Sequence, residues 1–590
     1  MNKNNSVLRH LFVLITSMSV LFSNNVLATM SGISKLQTAS IVADYSDDVS
    51  DDFRGFLKSL QQDSRYPKLE DSIQSYLLGN EMDSQANSKI FRLLGIYARI
   101  KYGDAAITSL ARLVEIPTGI VVGQAQHNNL NIKKIGEVIE ELSREFGLAY
   151  RNVDNRVFEV MLPGIRDVSK DGKYLVGLHA HADVVPANKD NWVLNDGTQL
   201  DPFKLTIIGN RMYGRGAEDD KNGIVVALYA MKIIKEENII LNQTFKLLVD
   251  TTEETTSEAI PYYMERSQKP GYNLALDGSY PVVIAEKGYG VISAEFPVRA
   301  GTGKGAEIVS ITGGLATNQI PAKSIALINS KNPNGLAQQL QQIAKDYVLN
   351  NGNNFSIDFE VLGNMQLKLT VTGVSAHSSD PETGINPVAR MLGFIAEANR
   401  NIDLKQNHVT DSAQYADANW GLGFYGKKLK LDFSNDFMGP LTTSLTQVTL
   451  DEETLVVAVN LRIPKGKALA ELERNARTGI SAWMEKNNKV FDVNYVFKSE
   501  PMYRNPEGTW VNTLLDIASE NLDIERKFGS SSGGTSAKTL PNGVQFGLAL
   551  ESEKYTGHNA NEFKKVDQFL LDLLIVTEMI MAIGHLEDMK

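Results

Sequence analysis

At 590 residues the chain calls for several compact units, because a single hydrophobic core stops growing at roughly 250–300 residues. Hydrophobic residues at 43% and charged residues at 22% are ordinary for a soluble globular protein and exclude a disordered or fibrous one. The formal charge of −11 comes without any run of lysine or arginine able to neutralise successive phosphates, so no nucleic-acid partner is expected, and small cations or zwitterions fit better.

The first 28 residues read as a signal peptide. Lys3 and Arg9 precede the apolar stretch Leu11 to Phe22, and Val26-Leu27-Ala28 offers small residues for cleavage. The mature chain would begin near Thr29, and losing Lys3 and Arg9 with no acidic residue leaves it at −13. The apolar stretch is too short to span a bilayer, which needs about 20 apolar residues. The expectation is therefore an exported protein, periplasmic or secreted, with no stable membrane insertion after cleavage. There is no cysteine, which rules out disulfides, thiolate catalysis and cysteine metal sites.

Residues 29–102 read as a helical extension, with apolar residues at three-to-four spacing in Asp51–Leu60 and Ile90–Ile100 and no chemistry of their own. From Gly103 helices alternate with apolar strands. Ala105–Val114 and Leu130–Glu145 read as helices, Tyr174–Leu178 and Phe245–Val249 as short buried strands, which is an α/β pattern. Between 291 and 497 the spacing shifts to strands joined by turns, among them Ser293–Val298, Lys368–Val371 and Thr454–Leu461. From 498 the helix-rich texture returns and ends in a helix over Gln568–Ala582. The reading is an α/β domain in two parts, 103–290 and 498–590, interrupted by an inserted domain at 291–497.

The chemistry sits where predicted strands end. In Gly177-Leu178-His179-Ala180-His181-Ala182-Asp183 the alternation puts His179, His181 and Asp183 on one face, so a ligand and an orienting carboxylate can emerge together at a sheet edge. In Gly214–Gly223 the pair Asp219-Asp220 opens a helix and could simply cap it. Glu253-Glu254 follows the strand Phe245–Val249, Asp277 ends the stretch Leu274–Leu276, and His558 lies in Gly557–Glu562. Singly, each has an ordinary structural reading: a polar pair, a cap, a surface charge.

Their order along the chain resembles the zinc peptidase family of aminoacylases, acetylornithine deacetylase, carboxypeptidase G and the dipeptidases. Ala285-Glu286-Lys287-Gly288, Gly373–Ser378 and Leu461-Arg462-Ile463-Pro464 are similar to the peptidase V and carnosinase-type dipeptidase branch. The resemblance implies an α/β, mixed-sheet zinc-hydrolase catalytic domain with an inserted α+β lid. It also implies two divalent cations, most readily zinc, with manganese or cobalt as alternatives. His181 and Asp277 would hold one ion, Glu254 and His558 the other, and Asp219 would bridge them. Asp183 would steady the ligands, and Glu253 would act as general base on a water between the ions. On the lid, His377 would stabilise the oxyanion, Asn318 and Arg462 would bind the substrate carboxylate, and Gly534 in Gly533-Gly534-Thr535 would add backbone donors. The implied activity is hydrolysis of small unblocked peptides by a monomer. An N-acyl-amino-acid deacylase on the same metals, or a catalytically silent peptide-binding protein, are the alternatives.

Overall fold

A computed structural model describes residues 30–590 apart from 48, 122, 169–171 and 315, so the segment read as a signal peptide lies outside the described residues. Among the described residues no helix is long and apolar enough to cross a membrane. The chain forms two compact units. The first comprises the residues up to Val283 with Asn505–Gly529 and Thr535–Lys590, and the second Ile284–Arg504 with Ser530–Gly534. The second unit extends the expected 291–497 at both ends and takes in a short piece of the later chain.

The first unit is built on a mixed sheet. Its strands run in the order Ala149–Val153, Val157–Leu162, Thr244–Asp250, Leu175–His181, Tyr272–Ala275 and Gly543–Gln545. The last four are mutually parallel, and the first two pair antiparallel. Leu175–His181 and Thr244–Asp250 are buried at every position, as strands covered on both faces must be, which is why they read as mostly apolar runs rather than alternating ones, with Lys246 the interruption in the second.

The boundary expected at residue 103 falls inside one continuous helix, Ser84–Val114. Gly103, where the sequence texture was read as changing, lies in the middle of this helix, and its missing side chain serves packing. A Cβ at Gly103 would lie 2.8 Å from Leu570 Cδ2, and one at Gly95 only 2.5 Å from the Leu574 carbonyl oxygen. The two glycines let this helix lie close against Val566–His585. Arg92 on the same helix is fully buried and pairs with Glu578 at 2.5 Å and Glu520 at 3.0 Å, so the extension is fastened by charge as well as by apolar contact.

The second unit is α+β. Eight antiparallel strands run in the order Ser356–Leu362, Gln366–Thr372, Lys323–Asn329, Glu307–Gly313, Thr442–Leu450, Thr454–Ile463, Gly288–Pro297 and Asp492–Ser499. Gly288–Pro297 and Gln366–Thr372 alternate buried and half-buried residues, the period-two signature of a sheet with one covered face. The helices Pro333–Asn350, Pro387–Asn401, His408–Asn419 and Leu469–Lys486 contribute Leu340, Leu392, Val409 and Ile480 to the same core as Ile292, Leu369 and Val457.

Candidate metal centre

Parallel register makes three strands of the first unit finish together. His181 pairs with Asp250, and His179 with Ala275. The turns that leave these ends carry Asp183, then Glu253 and Glu254, then Asp277, at the carboxyl edge where open α/β sheets place their sites. Asp219 arrives from the loop before the helix Lys221–Glu236. Asp220 is the residue at the cap position of that helix, but its side chain makes no capping bond. Its carboxylate instead accepts the His181 backbone N–H at 3.3 Å, so the acidic pair faces the sheet edge rather than the helix end.

The distances sort the expected residues into two groups that share Asp219. His181, Asp219 and Asp277 form one, and Asp219, Glu254 and His558 the other, each with its candidate donor atoms within 4.8 Å of one another. His181 Nε2 lies 2.8 Å from Asp219 Oδ1 and 3.9 Å from Asp277 Oδ2. His558 Nε2 lies 3.0 Å from Asp219 Oδ2 and 2.7 Å from Glu254 Oε1. Four-coordinate zinc with bonds of about 2.0–2.2 Å sets neighbouring donors roughly 3.3–3.6 Å apart, and these separations bracket that value. The mixed imidazole and carboxylate donors also suit zinc, manganese or cobalt. The residues therefore fit a pair of divalent ions, one on each side of Asp219.

Asp183 works on the backbone. Its two carboxylate oxygens accept the N–H groups of Glu253 and Glu254, each at 3.1 Å, and so fix the turn that presents both acids. The Asp183 carbonyl oxygen lies 2.9 Å from His181 Nδ1; a proton on that nitrogen leaves Nε2 free to face Asp219. Glu253, His181, Asp277 and Ser536 line one small cavity.

The loop bearing Asp219 is laced to the loop bearing His558. The strand Phe563–Lys565 pairs antiparallel with Arg211–Tyr213, which brings Glu562 beside Gly214. One oxygen of the fully buried Glu562 accepts the N–H groups of Gly216, Glu218 and Asp219 at 3.0, 2.9 and 3.1 Å, and the other pairs with Arg215 at 2.5 Å. Arg215 also donates to the Asn559 carbonyl at 3.1 Å, and the Thr556 N–H donates to Glu218. Tyr555 donates its hydroxyl to Asp219 Oδ2.

Crowding of acids sets the charge states of the protein alone. Burial pushes Glu253 and Asp220 well above the carboxylate range, Asp183 to about 8 and Asp277 to about 7. Asp219 goes the other way: burial would raise it, but His181 and His558 hold it well below its ordinary value. Burial opposes the charge on His558, yet its bonds to Asp219 and Glu254 outweigh that and carry it up to about 11. The Asp219 carboxylate thus favours the charged forms of the two imidazoles beside it, while burial disfavours the charged forms of Asp183, Asp220, Glu253 and Asp277. A set of acids that cannot all ionise by itself is a set that divalent cations can complete.

His179 does not join the group. Its Nε2 lies 2.8 Å from Asn273 Oδ1, and burial lowers it to about 4, which makes it a neutral core histidine.

The remaining expected residues gather in the second unit. Gln319 pairs with His377 across two short strands, and the Asn318 carbonyl accepts the Ser378 N–H at 2.9 Å. Ser378 and Arg462 both donate to Asn460 Oδ1, at 3.0 and 3.2 Å, and Arg462 reaches the Ser532 carbonyl at 3.4 Å, two residues before Gly534. The Arg462 guanidinium also lies over the Tyr289 ring at 4.9 Å. His377, Asn318 and Gly534 are exposed, while Arg462 is buried. His377 Nδ1 faces Ser379 Oγ at 2.6 Å.

Sequence reasoning gave no role to Glu562 or Tyr555, and offered Asp220 only as a helix cap. The one available signal was Arg215: an arginine between two glycines at a loop that approaches a buried site needs a carboxylate partner, and Glu562 was the acid in the His558 segment. Tyr555 carried no signal, because an aromatic in a loop implies nothing about where its hydroxyl points.

The Peptidase family M20/M25/M40 profile matches residues 177–582, more than half of the chain, and the chain belongs to that family. It is a metal-dependent peptidase. Over 422 residues it is 27% identical to a beta-Ala-Xaa dipeptidase of Lactobacillus delbrueckii subsp. lactis, an overlap covering 71% of this chain and 84% of the relative. A putative dipeptidase, YtjP, of Bacillus subtilis (strain 168) is 27% identical over 417 residues, covering 70% of this chain and 83% of the relative. The crystal structure of human carnosine dipeptidase 1 shares the fold at 13% identity with a TM-score of 0.51, covering 84% of this chain and 99% of that one.

Proposed function

We propose that the protein is an exported dipeptidase that hydrolyses the amide bond of small unblocked peptides at a two-zinc centre, with Glu253 as general base. The observation that carries this reading is the pair of three-residue groups sharing Asp219, with Glu253 lining the same cavity as His181 and Asp277. The dipeptidase activity named for the Lactobacillus delbrueckii relative supports the substrate class.

Bound divalent ions supply Lewis acidity, lowering the pKa of water and polarising a carbonyl oxygen. The chain's own residues do the rest. Asp183 fixes the turn that aims Glu253 and Glu254. Glu253 takes the proton of the attacking water and returns it to the leaving nitrogen, so that one carboxyl serves both halves of the reaction. By the resemblance to the dipeptidase branch, His377 would donate to the carbonyl oxygen as it gains charge, and Arg462 with Asn318 would take the peptide's terminal carboxylate. Gly534 adds backbone donors. Export rests on Lys3, Arg9 and the apolar stretch Leu11 to Phe22.

The test is Glu253→Gln. It is expected to keep both zinc ions and lose about 10²–10⁴-fold in kcat on free dipeptides. Turnover unchanged from the parent overturns the mechanism, and activity confined to N-acylated amino acids overturns the substrate class.

A further inference from the structure

We infer that Tyr555 is a positioning residue for the shared ligand Asp219, holding the carboxylate oxygen that would serve an ion held by Glu254 and His558. This rests on the two-metal reading of the preceding subsection.

Asp219 can serve two ions only if its two oxygens keep to opposite sides. Oδ1 faces His181 Nε2 at 2.8 Å and Oδ2 faces His558 Nε2 at 3.0 Å. Both contacts are made by the imidazole nitrogens that would themselves bind the ions. They cannot orient the carboxylate once those nitrogens are occupied. The Tyr555 hydroxyl is different: it donates to Oδ2 from outside either ligand set. A carboxylate oxygen has two lone-pair directions, so Oδ2 can take the hydroxyl proton on one and a cation on the other.

The segment is built to deliver that hydroxyl. Thr556, the next residue, is anchored through its N–H and its hydroxyl to Glu218, the residue before Asp219. Gly557 then clears the ring, since a Cβ there would stand 2.4 Å from Tyr555 Cζ. His558 follows with φ of +66°, a left-handed backbone that turns the imidazole back toward the same carboxylate. Glu562 closes the turn on the N–H groups of Gly216, Glu218 and Asp219. Tyr555 and His558 therefore reach Asp219 Oδ2 from one short, doubly fastened loop.

The experiment is a zinc titration of the full-length protein and of Tyr555→Phe, by competition with a chromophoric chelator. Circular dichroism checks the fold; phenylalanine keeps the ring that Gly557 accommodates. The parent is expected to take two zinc ions. The variant is expected to keep one at parental affinity and bind the other about 10–100-fold more weakly, with turnover restored by excess zinc. A merely structural tyrosine would weaken both ions together or neither, and either result overturns the assignment while leaving the two-metal reading intact. A phenolate difference band on adding zinc also overturns it, because Tyr555 would then be a ligand rather than a donor to one. A parent that binds fewer than two ions defeats the underlying reading itself.

Discussion

The two units hold their functional side chains by opposite means. In the first, His181, Asp183 and Asp219 are almost wholly buried, and acids and imidazoles face one another at close range, with His181 and His558 both on Asp219. In the second, His377 and Asn318 are exposed, and the bonds that tie their neighbourhood together run through the buried neutral side chains of Ser378, Ser379 and Asn460, which Arg462 and Asp380 join from either side. Burial magnifies every charge, so the first cluster behaves as a unit in which removing one member disturbs all the others. The second is a set of separate contacts, each of which can be lost alone.

The largest effect that this contrast predicts is for Asp219→Asn. Losing the one carboxylate common to both groups is expected to empty both metal positions and cost more than about 10³-fold in kcat/KM, because water activation and carbonyl polarisation go together. Metal analysis alongside steady-state kinetics checks it; an inactive variant still holding two ions would mean the groups are not coupled through Asp219.

His377→Ala should cost less, about 10²–10³-fold in kcat, the usual range for one oxyanion donor. Its metal content should equal the parent's. Zinc lost from this variant would break the division between a coupled charged cluster and separable contacts.

The smallest effect should be that of Arg462→Lys. A lysine keeps the charge but not the planar fork, so KM for a free dipeptide should rise roughly tenfold, about 1.4 kcal/mol, with kcat close to the parent's. A matching fall in kcat would show that Arg462 acts on more than substrate binding.

Much of the first unit was legible because its central strands are mostly apolar and its acids stand at their ends. The helix read over Leu130–Glu145 has those limits in the structure, and the strands at 174–178 and 245–249 are longer by only a few residues. The boundary placed at residue 103 falls instead within one helix, where glycine, which weakens a helix in isolation by about 1 kcal/mol, lets the helix pack closely against Leu570. The doubled aspartate was legible as chemistry or as a cap, and no local rule could choose between them. The choice depended on where the His181 backbone N–H lay, 39 residues earlier in the chain.

Sequence alone determined the composition of the centre: which residues could be donors, that they follow strands, and that their order matches one family of hydrolases. Those are properties of residue type and spacing, which survive without coordinates. Tertiary structure decided the rest. That Asp219 stands between His181 and His558, that Asp183 holds the turn of Glu253, and that Glu562 and Tyr555 fasten one loop to another all depend on contacts between segments as much as 347 residues apart. No local periodicity encodes such contacts, because they arise only when parallel strands end in common register and a small antiparallel sheet brings the last loop of the chain back to the first helix of the site.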